Sequence, residues 1–153
     1  MKKQNAIISK AEESEDWFNK GNDLYDLVQF DEAIECYQKA IDLKSDYAVA
    51  YNNMGNAYNG KQEYDKAIEC YQKAIDLKSD YADAYNNMGN AYNRKQEYDK
   101  AIECYQKAID LKSDYAVAYN NMGIVYHIKN GSTGNCVESS NFAAWKNIRE
   151  VRY

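Results

Sequence analysis

A period of 34 residues constrains this chain more than any other feature. Ala48–Tyr81 and Ala82–Tyr115 differ at only two of 34 places, Val49 against Asp83 and Gly60 against Arg94. Ser14–Tyr47 is a diverged earlier copy, nearly identical from Ala33 onward, and Ala116–Lys129 is the first half of a fourth. Self-similarity of this length means stacked helical units, because one such unit cannot bury its apolar face alone.

Each unit reads as two amphipathic helices. In the second unit Tyr51, Met54, Ala57 and Tyr58 fall on one face. The next helix, Tyr64–Leu77, carries Tyr64, Ala67, Ile68, Tyr71, Ala74, Ile75 and Leu77 at the spacing of a buried stripe. Between them Asn59–Glu63 is polar and contains Gly60, which suits a tight turn. The stretch LKSDYA separates one unit from the next, and Ser79 or Asp80 is expected to cap the following helix.

These residues resemble the tetratricopeptide repeat. Trp17 with Gly21 and Leu24, and Tyr51 with Met54, Gly55 and Tyr58, match its first-helix signature. Ala33/Tyr37, Ala67/Tyr71 and Ala101/Tyr105 match its second-helix signature. The resemblance implies an all-α, right-handed α-solenoid of antiparallel helix pairs. Its expected parts are an N-terminal extension at 1–13, three repeats at 14–47, 48–81 and 82–115, and a lone first helix at 116–129. A loop at 130–137 and a capping helix at 138–153 complete it. Small Gly55 and Ala67 let two helices approach while Tyr71 fills the gap. The family usually has proline after its second helix; Ser45, Ser79 and Ser113 stand there instead.

Ser9 and Glu12 have the spacing of a capping box, so the first helix is expected to begin near Lys10, after a frayed start. At the other end NGSTGN replaces a tight turn, and no Gly-Lys-Ser/Thr follows to make it a phosphate loop.

The asparagines are the other unusual feature. YNNMGNAYN occurs unchanged at 51–59 and 85–93, although asparagine is a mediocre helix former. With Asn52 at zero and about 100° per residue, Asn56 falls near 40°, Asn59 near −20° and Asn53 near 100°, whereas the core residues span roughly 140° to 260°. The asparagines therefore lie away from the core. The second helix, Tyr64–Lys78, has charges on its solvated face and no asparagine. The resemblance places the asparagine face on the concave groove of the superhelix.

A carboxamide can pair with both the C=O and the N–H of another backbone, whatever its sequence. The expected peptide-binding ladder is Asn22; Asn52, Asn53, Asn56 and Asn59; Asn86, Asn87, Asn90 and Asn93; and Asn120 and Asn121, with Arg94 alongside. It resembles the ladder in the repeat superhelix of O-linked N-acetylglucosamine transferase. Val49, Asp83, Val117, Ile124 and His127 are the variable residues that would tune selectivity. Co-chaperone members of the family grip the C-terminal carboxylate of Hsp70 and Hsp90 with a lysine, two asparagines and two further basic residues. Here those places hold Phe18, Asn22, Asn53, Asp83 and Asn87. All three cations are missing, and with them the charge-assisted bonds to a carboxylate.

Other function classes find little support. Net charge is −5, and the body at 14–129 is acidic while both ends are slightly basic, which argues against nucleic acid and anionic membranes. The start, MKKQNAIISKAEE, lacks the apolar core of a signal peptide, so a cytoplasmic location is expected. Cys36, Cys70 and Cys104 recur at the repeat spacing, and no C-x-x-C pair exists to bind metal. The single histidine, His127, has no partnered nucleophile. No catalytic residue, metal or cofactor is expected. The alternative to a peptide-binding adaptor is a structural unit that self-assembles through matching repeat ends or a swapped C-terminal helix.

Overall fold

In the computed structural model the described residues are 2–130, with side chains described from Ser9 onward. They form seven helices and no strand: α1 (Lys2–Asp26), α2 (Phe30–Leu43), α3 (Ala48–Gly60), α4 (Tyr64–Leu77), α5 (Ala82–Arg94), α6 (Tyr98–Leu111) and α7 (Ala116–Lys129). Consecutive helices pack on each other, and α1, α3, α5 and α7 also touch in series. The result is an all-α solenoid of paired helices, in which the first helices line one wall and the second helices the other. The expected loop and capping helix lie at 131–153, outside the described residues, save for Asn130.

Helix pairing rests on a glycine and a tyrosine. A Cβ built on Gly21, Gly55 or Gly89 would lie 2.6 or 2.7 Å from the ring of Tyr37, Tyr71 or Tyr105. Each ring is buried, and the alanines beside it (Ala33, Ala67, Ala101) are fully buried. Burying one such side chain stabilises by about 1.5–3 kcal/mol.

Stacking of one unit on the next uses a second set of positions. Ala50, Met54 and Ala57 of α3 are buried, as are Ala84, Met88 and Ala91 of α5, and Ala118, Met122 and Val125 of α7. The equivalent residues of α1 are Asp16, Lys20 and Asp23, all exposed. On the surface Lys61 bridges Asp31 at 2.5 Å and Glu63 at 2.6 Å, and Lys95 repeats this with Asp65 and Glu97. The pairs to Asp31 and Asp65 tie successive units, but exposed ion pairs contribute little each.

Four local expectations are corrected, the first being Leu77: it is the last residue of α4, beyond the packed part of the stripe, and is 44% exposed. Helix α1 begins at Lys2 rather than near Lys10, so Ser9 lies inside it and caps nothing. The segment has neither glycine nor proline, and extending a nucleated helix needs few extra constraints. The N-cap positions are Tyr47 and Tyr81, without side-chain caps, rather than Ser79 or Asp80. Instead Ala82 N–H bonds to the Asp80 carbonyl at 3.0 Å, and Tyr81 N–H to that of Lys78 at 3.2 Å. Finally, the left-handed residue of the inner turn is Gln62, φ 64°, not Gly60, and its equivalents are Val28 and Gln96. Gly60 serves close approach instead: its Cβ would meet the Phe30 ring at 2.5 Å.

Candidate functional site

The asparagines join the first helices to one another. Asn121 Nδ2 donates to Asn86 Oδ1 at 3.1 Å, Asn87 Nδ2 to Asn52 Oδ1 at 3.1 Å, and Asn53 Nδ2 to Asn22 Oδ1 at 2.9 Å. Within α3 and α5 the links are closed by Asn52 Nδ2 to Asn53 Oδ1, 3.2 Å, and by Asn86 Nδ2 to Asn87 Oδ1, 3.5 Å. Every donor in this chain of amides feeds the next acceptor in one sense, from α7 back to α1.

A second set is anchored by the core tyrosines. Tyr37 donates its hydroxyl to Asn22 Oδ1 at 2.9 Å, Tyr71 to Asn56 at 2.8 Å, and Tyr105 to Asn90 at 2.8 Å. Asn121 also donates to Asn90, at 3.1 Å. Burial pushes all three phenols far above their ordinary range, so they remain hydroxyl donors at neutral pH. A buried tyrosine hydroxyl needs a partner, and that need was the sequence signal for these bonds.

The network decides which asparagines are available. Asn52 and Asn86 are 5% and 4% exposed, and these two assignments to a ligand-facing ladder are corrected. Each is covered by the following unit and uses its amide to hold Asn53 or Asn87. Asn22, Asn53, Asn56, Asn59, Asn87, Asn90, Asn93 and Asn121 are half-buried, while Asn120 and Arg94 are exposed. Asn120 is the equivalent of Asn52 and Asn86. Asn59 Oδ1 is buried and has no hydrogen-bond partner.

Between α1 and α3 the wall opens into a cleft of about 280 Å³, lined by Asn22, Tyr25, Asp26, Tyr37, Asn53 and Asn56. Tyr25, Asp26 and Tyr37 were not among the sequence-derived candidates. Of the variable residues, Asp83 accepts the Tyr115 hydroxyl at 2.7 Å, and Val49, Val117, Ile124 and His127 are exposed.

Burial pushes the Cys70 and Cys104 thiols up to about 12, which removes thiolate at neutral pH. Among the described residues no cluster of His, Cys, Asp or Glu could hold a metal, and no helix is long and apolar enough to cross a membrane.

Comparison with known proteins agrees with this architecture. The family described as tetratricopeptide repeat matches residues 46–114 and 80–132, and a TPR repeat family matches 21–62. No curated protein matches the sequence. Among solved structures, MamA is 33% identical, with 83% of this chain aligned to 74% of that one at a TM-score of 0.73. The Arabidopsis OM64 TPR domain is 25% identical over 76% of this chain and 97% of that domain, TM-score 0.74. The first TPR of Spaghetti (RPAP3), bound to the HSP90 peptide SRMEEVD, is 24% identical over 79% and 96%, TM-score 0.76. Period, signature residues, helix pairing and family match coincide: the chain belongs to the tetratricopeptide repeat family.

Proposed function

We propose that this protein is an interaction module that holds an extended peptide segment along the wall of α1, α3, α5 and α7. The observation that carries this reading is the state of the half-buried amides. Asn53 commits one Nδ2 hydrogen within the protein, and Asn56 commits none. Their remaining donors border the open cleft beside Asn22 and Asp26. Groups so placed are pre-oriented, so a peptide carbonyl gains a bond at little ordering cost. Asn52 and Asn86 act beneath them as braces. The first TPR of Spaghetti, which shares this fold, is bound to a peptide, which supports peptide holding by such a fold but not the amide grip itself.

The test must spare the tyrosines. Asn56→Ala would strand the Tyr71 hydroxyl, so Asn56→Asp with Asn90→Asp is preferable: Oδ1 still accepts from tyrosine, and both N–H donors vanish. Loss of two bonds, each worth about 0.5–1.5 kcal/mol, should weaken capture of an uncharged extended peptide about tenfold. Fluorescence anisotropy on a neutral peptide panel measures it. Undiminished binding by a folded double variant would exclude the amides as the grip.

A further inference from the structure

The wall is not the same along its length. Within each first helix one line of residues runs beside the paired helix, whose tyrosine hydroxyl bonds the line's middle member, Asn22, Asn56 or Asn90. In α1 this line is Glu15, Asn22 and Asp26; in α7 it is Val117, Ile124 and Ile128. These places are seven and then four residues apart, so they lie within about 40° on a helix. Burial agrees: Glu15 and Asp26 are exposed, as are Val117, Ile124 and Ile128 at 54%, 47% and 46%. The middle units are mixed: Val49, Asn56 and Gly60 on α3, then Asp83, Asn90 and Arg94 on α5.

The apolar stripe on α7 borders the surface that a paired second helix would cover: in the complete units that helix's tyrosine reaches only the middle position, at Asn56 and Asn90. In the complete units the paired helix covers the glycine side, where Tyr71 meets Gly55 and Tyr105 meets Gly89. The equivalent residue on α7 is Gly123, one place before Ile124 and about 100° round the helix from it. Ile124 stands where α3 and α5 carry Asn56 and Asn90, half-buried amides that accept the paired helix's tyrosine hydroxyl, and Asn56 also lines the cleft. At the other end, Asp26 borders the cleft together with Tyr25 and Tyr37, a carboxylate beside aromatic rings. Such a site suits a cation.

Resting on the peptide-groove reading above, we propose that the groove selects an extended segment with a lysine or arginine at the α1 end and a large aliphatic residue at the α7 end. Three helix-to-helix steps of about 8–10 Å separate the two ends. An extended chain covers that span in about eight residues. The acidic α1 end repels acidic segments, so the selectivity is opposite to that of a carboxylate clamp. Charge complementarity at Glu15 and Asp26 therefore favours a basic–aliphatic peptide as the occupant over a second copy of this acidic chain.

The experiment uses the full chain and labelled peptides on one neutral, flexible frame. Two peptides carry Arg and Leu about eight residues apart, in the two possible orders. A third replaces Arg by Glu, and a fourth replaces Leu by Ser. One Arg–Leu order should bind about tenfold tighter than the Glu and Ser controls. Ile124→Asn, which restores the residue of the other units at an exposed place, should erase the preference for Leu. Asp26→Asn should erase the preference for Arg. Circular dichroism verifies that both variants fold. Equal binding of all four peptides, or tighter binding of the Glu peptide, would overturn this selectivity while leaving a peptide groove in place. No binding by any peptide would overturn both readings. Self-association in light scattering that Ile124→Asn abolishes would give the stripe to a second copy and overturn the inference.

Discussion

Asp16, Lys20 and Asp23 on α1 stand where α3 carries Ala50, Met54 and Ala57. The backbone at the two places is the same helix, yet one set is solvated and the other is buried against a preceding unit. Three residues thus distinguish an end of the stack from its interior. This bears on assembly: growth by adding copies head to tail would bury those three charges against the apolar face of another chain. Unpaired buried charges are costly, so this face of α1 suits solvent better than a stacked unit. At the opposite end, α7 retains the interior pattern on its stacked face and has an open glycine, Gly123, with nothing within 4 Å of a built Cβ.

The largest effect should come from moving the terminal pattern inward. Ala91→Asp places a carboxylate at a fully buried site between units and should cost about 3–5 kcal/mol, read from urea unfolding. The reverse change on α1, Asp23→Ala, should alter stability by no more than about 0.5 kcal/mol. Comparable costs at the two sites would end the distinction between terminus and interior.

The glycines sharpen the same contrast. Gly55→Ala or Gly89→Ala drives a methyl into a buried tyrosine ring and should cost about 1–3 kcal/mol. Gly123→Ala meets no such obstacle and should gain up to about 1 kcal/mol from helix propensity. A loss at Gly123 would reveal an element packed on α7 in solution.

A smaller change concerns the inner turns. Val28 is the β-branched member of the left-handed set, with φ 62°, while its equivalents are Gln62 and Gln96. Val28→Gly should gain about 0.5–1 kcal/mol by relieving that strain. Gln62→Gly should gain less, and an equal gain at both places would remove the special strain at Val28. Thermal unfolding of the two variants is sufficient.

Under ordinary conditions the buried phenols stay protonated, and their effect on stability emerges only in alkali. Burial raises the Tyr37, Tyr71 and Tyr105 hydroxyls, so the folded chain keeps protons that the unfolded chain releases. Their contribution is complete below the unfolded value of about 10 and declines as pH rises toward the folded values. Tyrosinate absorbance should therefore show a group of phenols, these three among them, that ionise only as the helices unfold. A native protein in which every tyrosine ionises before any loss of helicity would contradict this.

Much of the architecture was legible before any coordinates. Tyr64–Leu77 was read as a helix and is one with those bounds. The fit of Gly55 to Tyr71 was also legible, since small and large residues recur together at the repeat period. The local errors share a cause. Serine and aspartate favour capping on average, but Asp80 instead offers its backbone carbonyl to Ala82. Glycine favours positive φ, but Gly60 was needed where the Phe30 ring leaves no space.

For the candidate site the boundary is clearer still. The residue pattern alone settled the period, the pairing of helices, the buried tyrosines and the side of each helix that avoids the core, because all of these follow from spacing along one chain. It could not tell Asn52 from Asn53. A helical wheel measures angle about a single axis, and on that wheel Asn52 lies about as far from the core as a residue can. Whether such a face meets water depends on where the following unit lands. That landing is set by how whole helices pack, and it turned Asn52 and Asn86 into internal braces while leaving Asn53 and Asn56 beside an open cleft.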